Sequence, residues 1–235
     1  MQAIILAGGK GTRLRPYTTI LPKPLMPIDD RPILELVLRL LKKHNISDIY
    51  ITLGYLGHLI KAVFGDGKSL GLNIFYSTEE KPLGTAGPVS LIRDQLEDVF
   101  LLMNGDILSD IDLTELIKFH KERNALMTLA VHKRTVHIDY GVLQIDEKSI
   151  LQKYVEKPTL SYDVSMGINV LSRKALDFLN PGERCDIPEL AMKILAKYPD
   201  GVHCYQTNAY WLDIGRQDDY QKAVDDFEKI KSVFD

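Results

Sequence analysis

The chain has 235 residues, 45% hydrophobic and 26% charged, enough apolar material for one large core at the upper end of single-domain size. Its 29 Lys and Arg against 32 Asp and Glu leave a formal charge of -3, which excludes a general electrostatic draw toward nucleic acid or anionic lipid, so phosphate binding must come from local geometry. The two cysteines, Cys185 and Cys204, lack CxxC spacing, and no apolar run reaches membrane-spanning length, so a disulfide framework, a zinc site and a membrane span are excluded and a cytoplasmic protein is expected.

The first half alternates short apolar runs with amphipathic stretches, the pattern of strands joined through helices in a parallel sheet. Gln2 to Ala7 reads as a strand, Pro32 to His44 as a helix and Asp48 to Leu53 as the next strand. Leu56 to Phe64 reads as a helix, Leu72 to Tyr76 as a strand, Thr85 to Leu96 as a helix and Val99 to Met103 as a central strand. A helix at Leu113 to Arg123 precedes a strand-rich part, with strands at Leu126 to His132, Gly141 to Ile145, Leu151 to Val155 and Ser165 to Leu171. Helices follow at Arg173 to Leu179 and Ile187 to Tyr198, then a strand at Val202 to Gln206 and a closing helix at Gln217 to Ile230. No repeat or Pro/Gly-rich linker divides the chain, so a single α/β domain over 1–235 is expected, both halves sharing one sheet with mixed or antiparallel strands in the second.

Five segments carry candidate chemistry. In Leu6-Ala7-Gly8-Gly9-Lys10-Gly11-Thr12-Arg13-Leu14, glycines let main-chain N–H groups approach a phosphate and Arg13 adds a fork of donors. Lys10 is followed by Gly11, so this is not a Walker A loop, and Leu14 stands where a dinucleotide fingerprint needs its third glycine. In Leu21-Pro22-Lys23-Pro24-Leu25-Met26-Pro27, prolines stiffen the chain around one lysine, a fixed charge suited to phosphate. Asn104-Gly105-Asp106 follows an apolar strand, where ligand crevices of α/β sheets lie and where an aspartate can hold magnesium with phosphate oxygens. Tyr210-Trp211-Leu212-Asp213-Ile214-Gly215 offers a second carboxylate. Glu156 and Lys157, read as neighbours on an extended segment, point to opposite sides, the carboxylate suiting sugar hydroxyls and the ammonium a sugar phosphate. Each has a plain alternative when taken alone: a tight turn, a surface lysine, a capping aspartate, a core strand or a solvated pair. The six histidines show no ligand or nucleophile-base spacing and receive no role.

Taken in order, these segments resemble the nucleoside diphosphate sugar pyrophosphorylases, or sugar-1-phosphate nucleotidyltransferases. Gly8 to Pro16 matches the family's G-G-x-G-T-R-L-x-P and Lys23 to Pro27 its K-P-L-x-P, while Glu79 to Pro88 looks like the mannose-1-phosphate guanylyltransferase branch. Asn104 to Asp106, Tyr140 to Val142, Val155 to Pro158 and Trp211 to Gly215 follow in the family's order. The resemblance implies a Rossmann-like nucleotidyltransferase fold, a mixed, mostly parallel sheet flanked by helices. It implies a magnesium-dependent transfer of a nucleotidyl group from a nucleoside triphosphate, GTP first, to a sugar 1-phosphate, with release of pyrophosphate. Leu6, Gly8, Gly9, Gly11, Thr12 and Arg13 would wrap the triphosphate, with Arg13, Lys23 and Asp106 as catalytic candidates. Leu83, Gly84 and Thr85 would border the base; Gly141, Glu156, Lys157, Ser165 and Gly167 would hold the sugar phosphate; Asp106 and Asp213 would carry Mg2+. Where related guanylyltransferases often show Asn-Ala-Gly, this chain has Ser165-Met166-Gly167, which leaves the sugar open. No hexapeptide-repeat domain is expected after the catalytic unit, and a homodimer is a candidate assembly. The alternatives are a glucose-1-phosphate thymidylyltransferase or heptose-1-phosphate guanylyltransferase, and, in other classes, a glycosyltransferase or an inactive regulatory subunit.

Overall fold

A computed structural model describes all residues from Met1 to Asp235. β1 (Gln2–Ala7) leads through the two-residue strands β2 (Pro27–Ile28) and β3 (Arg31–Pro32) into α1 (Ile33–Lys43), β4 (Asp48–Leu53), α2 (Gly57–Phe64), β5 (Asn73–Thr78) and β6 (Val99–Asn104). β7 (Ile107–Ser109), α3 (Leu113–Glu122), β8 (Met127–His137), β9 (Val142–Ile145), β10 (Leu151–Val155) and β11 (Thr159–Ser172) follow. α4 (Ile187–Lys197), β12 (Val202–Thr207), β13 (Trp211–Asp213) and α5 (Gln217–Ile230) complete the chain.

Seven strands form one sheet in the order β12-β8-β11-β6-β1-β4-β5, so both halves do share it. Neighbours among β6, β1, β4 and β5 are parallel, β11 runs antiparallel to both β6 and β8, and β12 is parallel to β8. The central strands are buried on both faces, as parallel strands covered by helices must be. In β6, Leu101 and Met103 enter the larger core while Phe100 and Leu102 enter the core on the other side. α1 contributes Leu34, Val37, Leu38 and Leu41 to the larger core, the spacing of one helical face, and Phe227 and Ile230 of α5 join it. α4 covers the opposite face through Leu190, Ala191 and Ile194. No helix is long and apolar enough to cross a membrane.

Several elements differ from the sequence reading. Thr85 to Leu96 is not an α-helix: Gly87–Gln95 is 3-10 turns with a kink at Ile92, and the N–H groups of Ala86 and Gly87 at its start both donate to the Cys185 carbonyl across the molecule. Arg173–Phe178 is likewise 3-10. β8 and β11 run well past their expected ends, pairing from Thr159 opposite His137 to Leu171 opposite Met127, with a break between Ser165 and Asn169. β9 and β10 pair only with each other, forming a hairpin outside the main sheet.

At the carboxyl ends of β1 and β4 the chain crosses itself. A Cβ on Gly54 would lie 2.5 Å from the Gly8 carbonyl oxygen and 2.9 Å from its Cα, so two backbones touch where only glycine fits. Gly54→Ala should therefore push the Gly8 loop off β4 and lower stability by about 1–3 kcal/mol, read as a fall in urea midpoint. An unchanged midpoint would mean the crossing is not tight.

His120 of α3 is 1% exposed and sits between Thr128 and Ser172, Nδ1 at 2.9 Å from one hydroxyl and Nε2 at 3.0 Å from the other. The Ser172 hydroxyl donates to the Ala125 carbonyl, so Nε2 carries the proton and Nδ1 accepts from Thr128. Burial holds its pKa down to about 4, with His203 and Lys121 adding to the shift. An unfolded histidine takes up its proton at about 6.5. Between those values the unfolded chain binds more protons, so stability present above about pH 6.5 is lost as pH falls toward 4, by up to about 3 kcal/mol. Urea titrations at pH 7, 5.5 and 4.5 should show this extra loss in the native chain and not in His120→Gln; equal slopes would contradict it.

Candidate active site

Asp106 and Asp213 lie far apart in sequence, and the fold brings them together through a small antiparallel pair. β13 pairs with β7 so that Asp213 stands opposite Ile107, and the Ile214 N–H donates to the Asp106 carbonyl at 3.2 Å. Nothing in the sequence marked Ile107 to Ser109 as the receiving strand. The pair is pinned from behind by the Ser109 hydroxyl donating to the Tyr210 carbonyl at 2.7 Å and by the Tyr210 hydroxyl donating to Asp226 of α5 at 3.3 Å. Burial, reinforced by Asp226, pushes the Tyr210 hydroxyl up to about 12, so it remains a donor.

Lys23 meets both carboxylates. Pro22 enters a 3-10 turn over Lys23–Leu25, closed by N–H bonds from Leu25 to Pro22 and from Met26 to Lys23. The turn sinks the lysine to 8% exposure, and its Nζ donates to Asp106 Oδ2 while lying 3.6 Å from Asp213 Oδ1. Burial pushes the Asp106 carboxyl above its usual range; the Lys23 ammonium pulls it back and Asp213 raises it further. The sequence reading paired the aspartates around a cation, and the structure puts an ammonium at their meeting point. No third His, Cys, Asp or Glu joins them. Two carboxylates are the donor set magnesium ordinarily takes when phosphates supply further oxygens, so the residues fit such an ion.

Two cavities meet at Asp106. The smaller, about 230 Å³, is walled by Gly9, Gly11, Thr12, Arg13 and Lys23. The larger, about 580 Å³, is bordered by Gly8, Gly9, Thr52, Glu79, Gly84 and Thr85. Leu6, Gly9 and Asp106 border both. Gly11 takes φ +59°, and Thr18 donates to its carbonyl at 2.7 Å, so the loop turns back over Lys23. The Arg13 guanidinium packs by Gly215, beside the Asp213 strand end.

The loop at Gly84 is clamped to the start of α4. Gly84 takes φ +81°, and a Cβ there would stand 2.5 Å from Asp186 Oδ1. That same oxygen accepts the Thr85 N–H at 3.0 Å, and the Cys185 N–H donates to the Leu83 carbonyl at 2.9 Å. Asp186 also caps α4 in a capping box with Glu189. Leu83, between the clamped residues, is 3% exposed, and its N–H and carbonyl both take part in holding the loop. Glu79, which the sequence reading left without a role, accepts the Leu83 N–H at 2.7 Å through Oε2 while Oε1 lies against Gly8. Burial raises its pKa and the Leu83 N–H lowers it. Its place at the carboxyl end of a parallel strand was the available signal.

None of the residues assigned to the sugar phosphate lines either cavity, although Gly167 packs on Asn104, which borders the larger one. Gly141 and Glu156 belong to the hairpin, where the Tyr154 hydroxyl covers Gly141 and donates to Glu156 at 3.2 Å. Glu156 and Lys157 are not on an extended segment: β10 stops at Val155 and Lys157 takes φ +43°, in a bend. Ser165 and Gly167 occupy the break in β11, where Gly167, at φ +70°, packs on the Asn104 amide. Trp211 donates from Nε1 to the Met166 carbonyl at 2.9 Å, tying that break to the Asp213 strand.

Comparison with known proteins supplies the context for this geometry. The nucleotidyl transferase family model matches residues 2–230. A UTP--glucose-1-phosphate uridylyltransferase of Synechocystis sp. is 34% identical over 95% of this chain and 62% of its own. A mannose-1-phosphate guanylyltransferase of Mycobacterium tuberculosis is 33% identical over 96% of this chain and 64% of its own. The chain thus spans a little under two thirds of the length of these curated relatives. Among solved structures, HddC from Yersinia pseudotuberculosis complexed with GMP-PN superposes with a TM-score of 0.74 at 26% identity, over 96% of this chain and 99% of that one. With the Gly8 loop, Lys23 and the paired aspartates at one end of a Rossmann-like sheet, and a match over nearly the whole chain, this protein belongs to the nucleotidyl transferase family.

Proposed function

We propose that this chain transfers a guanylyl group from GTP to a sugar 1-phosphate of the mannose 1-phosphate type, releasing pyrophosphate. The observation that carries the reading is the junction of a basic, glycine-walled cavity with a larger one at Asp106, where Lys23 and Asp213 converge. A triphosphate in the small cavity and a nucleoside in the large one would put the α-phosphorus at that junction. Both the attacking sugar phosphate and the α-phosphate are anionic, so the barrier is chiefly repulsion and misalignment, which fixed charge and positioning lower. Lys23, released by its carboxylates toward the phosphate, and Arg13, exposed beside it, would supply that charge. A magnesium ion held by Asp106 and Asp213 would neutralise phosphate oxygens. The attack is direct and in line, with pyrophosphate leaving opposite the incoming oxygen and no covalent enzyme intermediate. Glu156, Lys157, Gly141, Ser165 and Gly167 are proposed to bind the sugar phosphate from the hairpin and the β11 break.

Guanine is favoured by Glu79. A carboxylate only accepts hydrogen bonds, and guanine presents two adjacent donors, N1–H and the N2 amino group. Uracil and thymine present one N–H between two carbonyl oxygens, which a carboxylate repels. The guanylyltransferase relative and the neighbour complexed with GMP-PN support this choice, while the uridylyltransferase relative points to uracil.

Pyrophosphate release measured with each nucleoside triphosphate, a panel of sugar 1-phosphates and magnesium should be fastest with GTP and mannose 1-phosphate. Asp106→Ala and Asp213→Ala should each lower turnover at least about 100-fold while keeping the native melting transition; normal rates in either would remove the metal assignment. Glu79→Gln should cut the GTP over UTP preference in kcat/KM by about tenfold or more. An unchanged ratio would mean that the base is read elsewhere.

A further inference from the structure

The opposite edge of the sheet carries a second pair of cavities. One, about 440 Å³, has Phe178, Tyr198 and Lys197 in its wall; the other, about 580 Å³, has Lys121, Arg173 and His120. Lys174, Asn124 and Leu126 line both. Val99 at the start of β6 borders the second, while Asn104 at the end of β6 borders the catalytic cleft, so the two sites are about 17 Å apart along one strand.

The two compartments differ in chemistry. In the first, Phe178 and Tyr198 meet edge to face with centroids 6.1 Å apart, and Lys197 Nζ lies 5.8 and 5.5 Å from the two rings. In the second, Lys121, Arg173 and Lys174 stand over a floor made by the His120–Ser172 hydrogen bond. None of the four cations forms an ion pair within the chain. Of the carboxylates that line the cavities, Asp177 is bound by Arg93, while Asp98 and Asp200 have no cationic partner. The balance is positive, four free cations to two free carboxylates, in a protein whose overall charge is -3. Four unpaired cations on one concave surface of an otherwise acidic protein give it a local positive potential that attracts anions.

We infer that this bipartite cavity is a second ligand site, taking a nucleoside diphosphate with its ring on the Phe178–Tyr198 corner and its phosphates among Lys121, Arg173 and Lys174. With the flexible Lys197 side chain swung aside from the ring faces it covers, the aromatic pair offers stacking to a base, and the cationic compartment offers charge-assisted bonds to phosphate oxygens. A bare phosphate would leave the aromatic compartment unused. α4 joins this site to the catalytic cleft: Lys197 and Tyr198 end the helix at the distal cavity, and Asp186 begins it at the Thr85 clamp, about 16 Å away. A ligand that shifts α4 would therefore act on the loop bordering the nucleoside cavity.

The test is equilibrium dialysis of the full chain against GDP at about 1 mM, comparing the native protein with a Lys174→Glu/Lys197→Glu variant. Both side chains are exposed, so the variant should melt like the native protein. The native chain should hold one equivalent of GDP more than the variant, whatever number the catalytic cleft retains, and the distal equivalent should be weakened at least about tenfold. Equal stoichiometry and affinity in the two proteins would overturn the site. A native chain that keeps the extra equivalent but shows no pyrophosphate release with any substrate pair would leave the distal site standing and remove the catalytic reading instead. If the double variant melts early, Arg173→Gln replaces it, with the same weakening expected and an unchanged affinity counting against the site.

Discussion

The contact among Lys23, Asp106 and Asp213 is the constraint around which the rest of the cleft is arranged. Three segments from the beginning, middle and end of the chain meet there, and each is held by a separate device: a proline-entered turn for Lys23, the end of β6 for Asp106, and the β7–β13 pair for Asp213. One ammonium against two carboxylates leaves one negative charge in surplus at a partly desolvated point. Such a cluster draws a cation and repels a triphosphate arriving without one. The free positive charge needed for phosphate is displaced to the neighbouring wall, where Arg13 stands exposed.

The glycines near this cluster serve contact as much as flexibility. Gly8 and Gly54 allow two loops at the ends of adjacent parallel strands to touch, which sets the height of the Gly8 loop above the sheet. Gly84 allows Asp186 to reach under the neighbouring loop, so that one carboxylate both caps α4 and holds the wall of the larger cavity. The cleft is thereby shaped by backbone approach, which a side-chain inventory would miss.

Much of this was legible in the sequence. Buried parallel strands read as short apolar runs, and α5 spans Gln217–Ile230 as its periodicity predicts, because both patterns report burial directly. What the sequence hid was tertiary in origin. The Gly87 segment is 3-10 and anchored through its first N–H groups to Cys185, a residue nearly a hundred positions away, a contact no local pattern announces. The extensions of β8 and β11 are largely exposed, so no hydrophobic pattern announced them. Arg13, Lys23, Asp106 and Asp213, picked out by motif, converge on one cleft. The contact of Glu79 with the Leu83 N–H and with Gly8 depends on tertiary placement, although its position at the carboxyl end of a parallel strand was a signal. The family resemblance grouped the motifs, and the β7–β13 register explains physically why two of them meet.

The central claim is that Asp106 and Asp213 act as one site. A double-mutant cycle on kcat/KM, using Asp106→Asn, Asp213→Asn and the combined variant, measures this directly. If both carboxylates serve the same centre, the combined loss should be little larger than either single loss, a coupling of at least about 2 kcal/mol. Losses that simply add would contradict a shared centre and with it the proposed reaction.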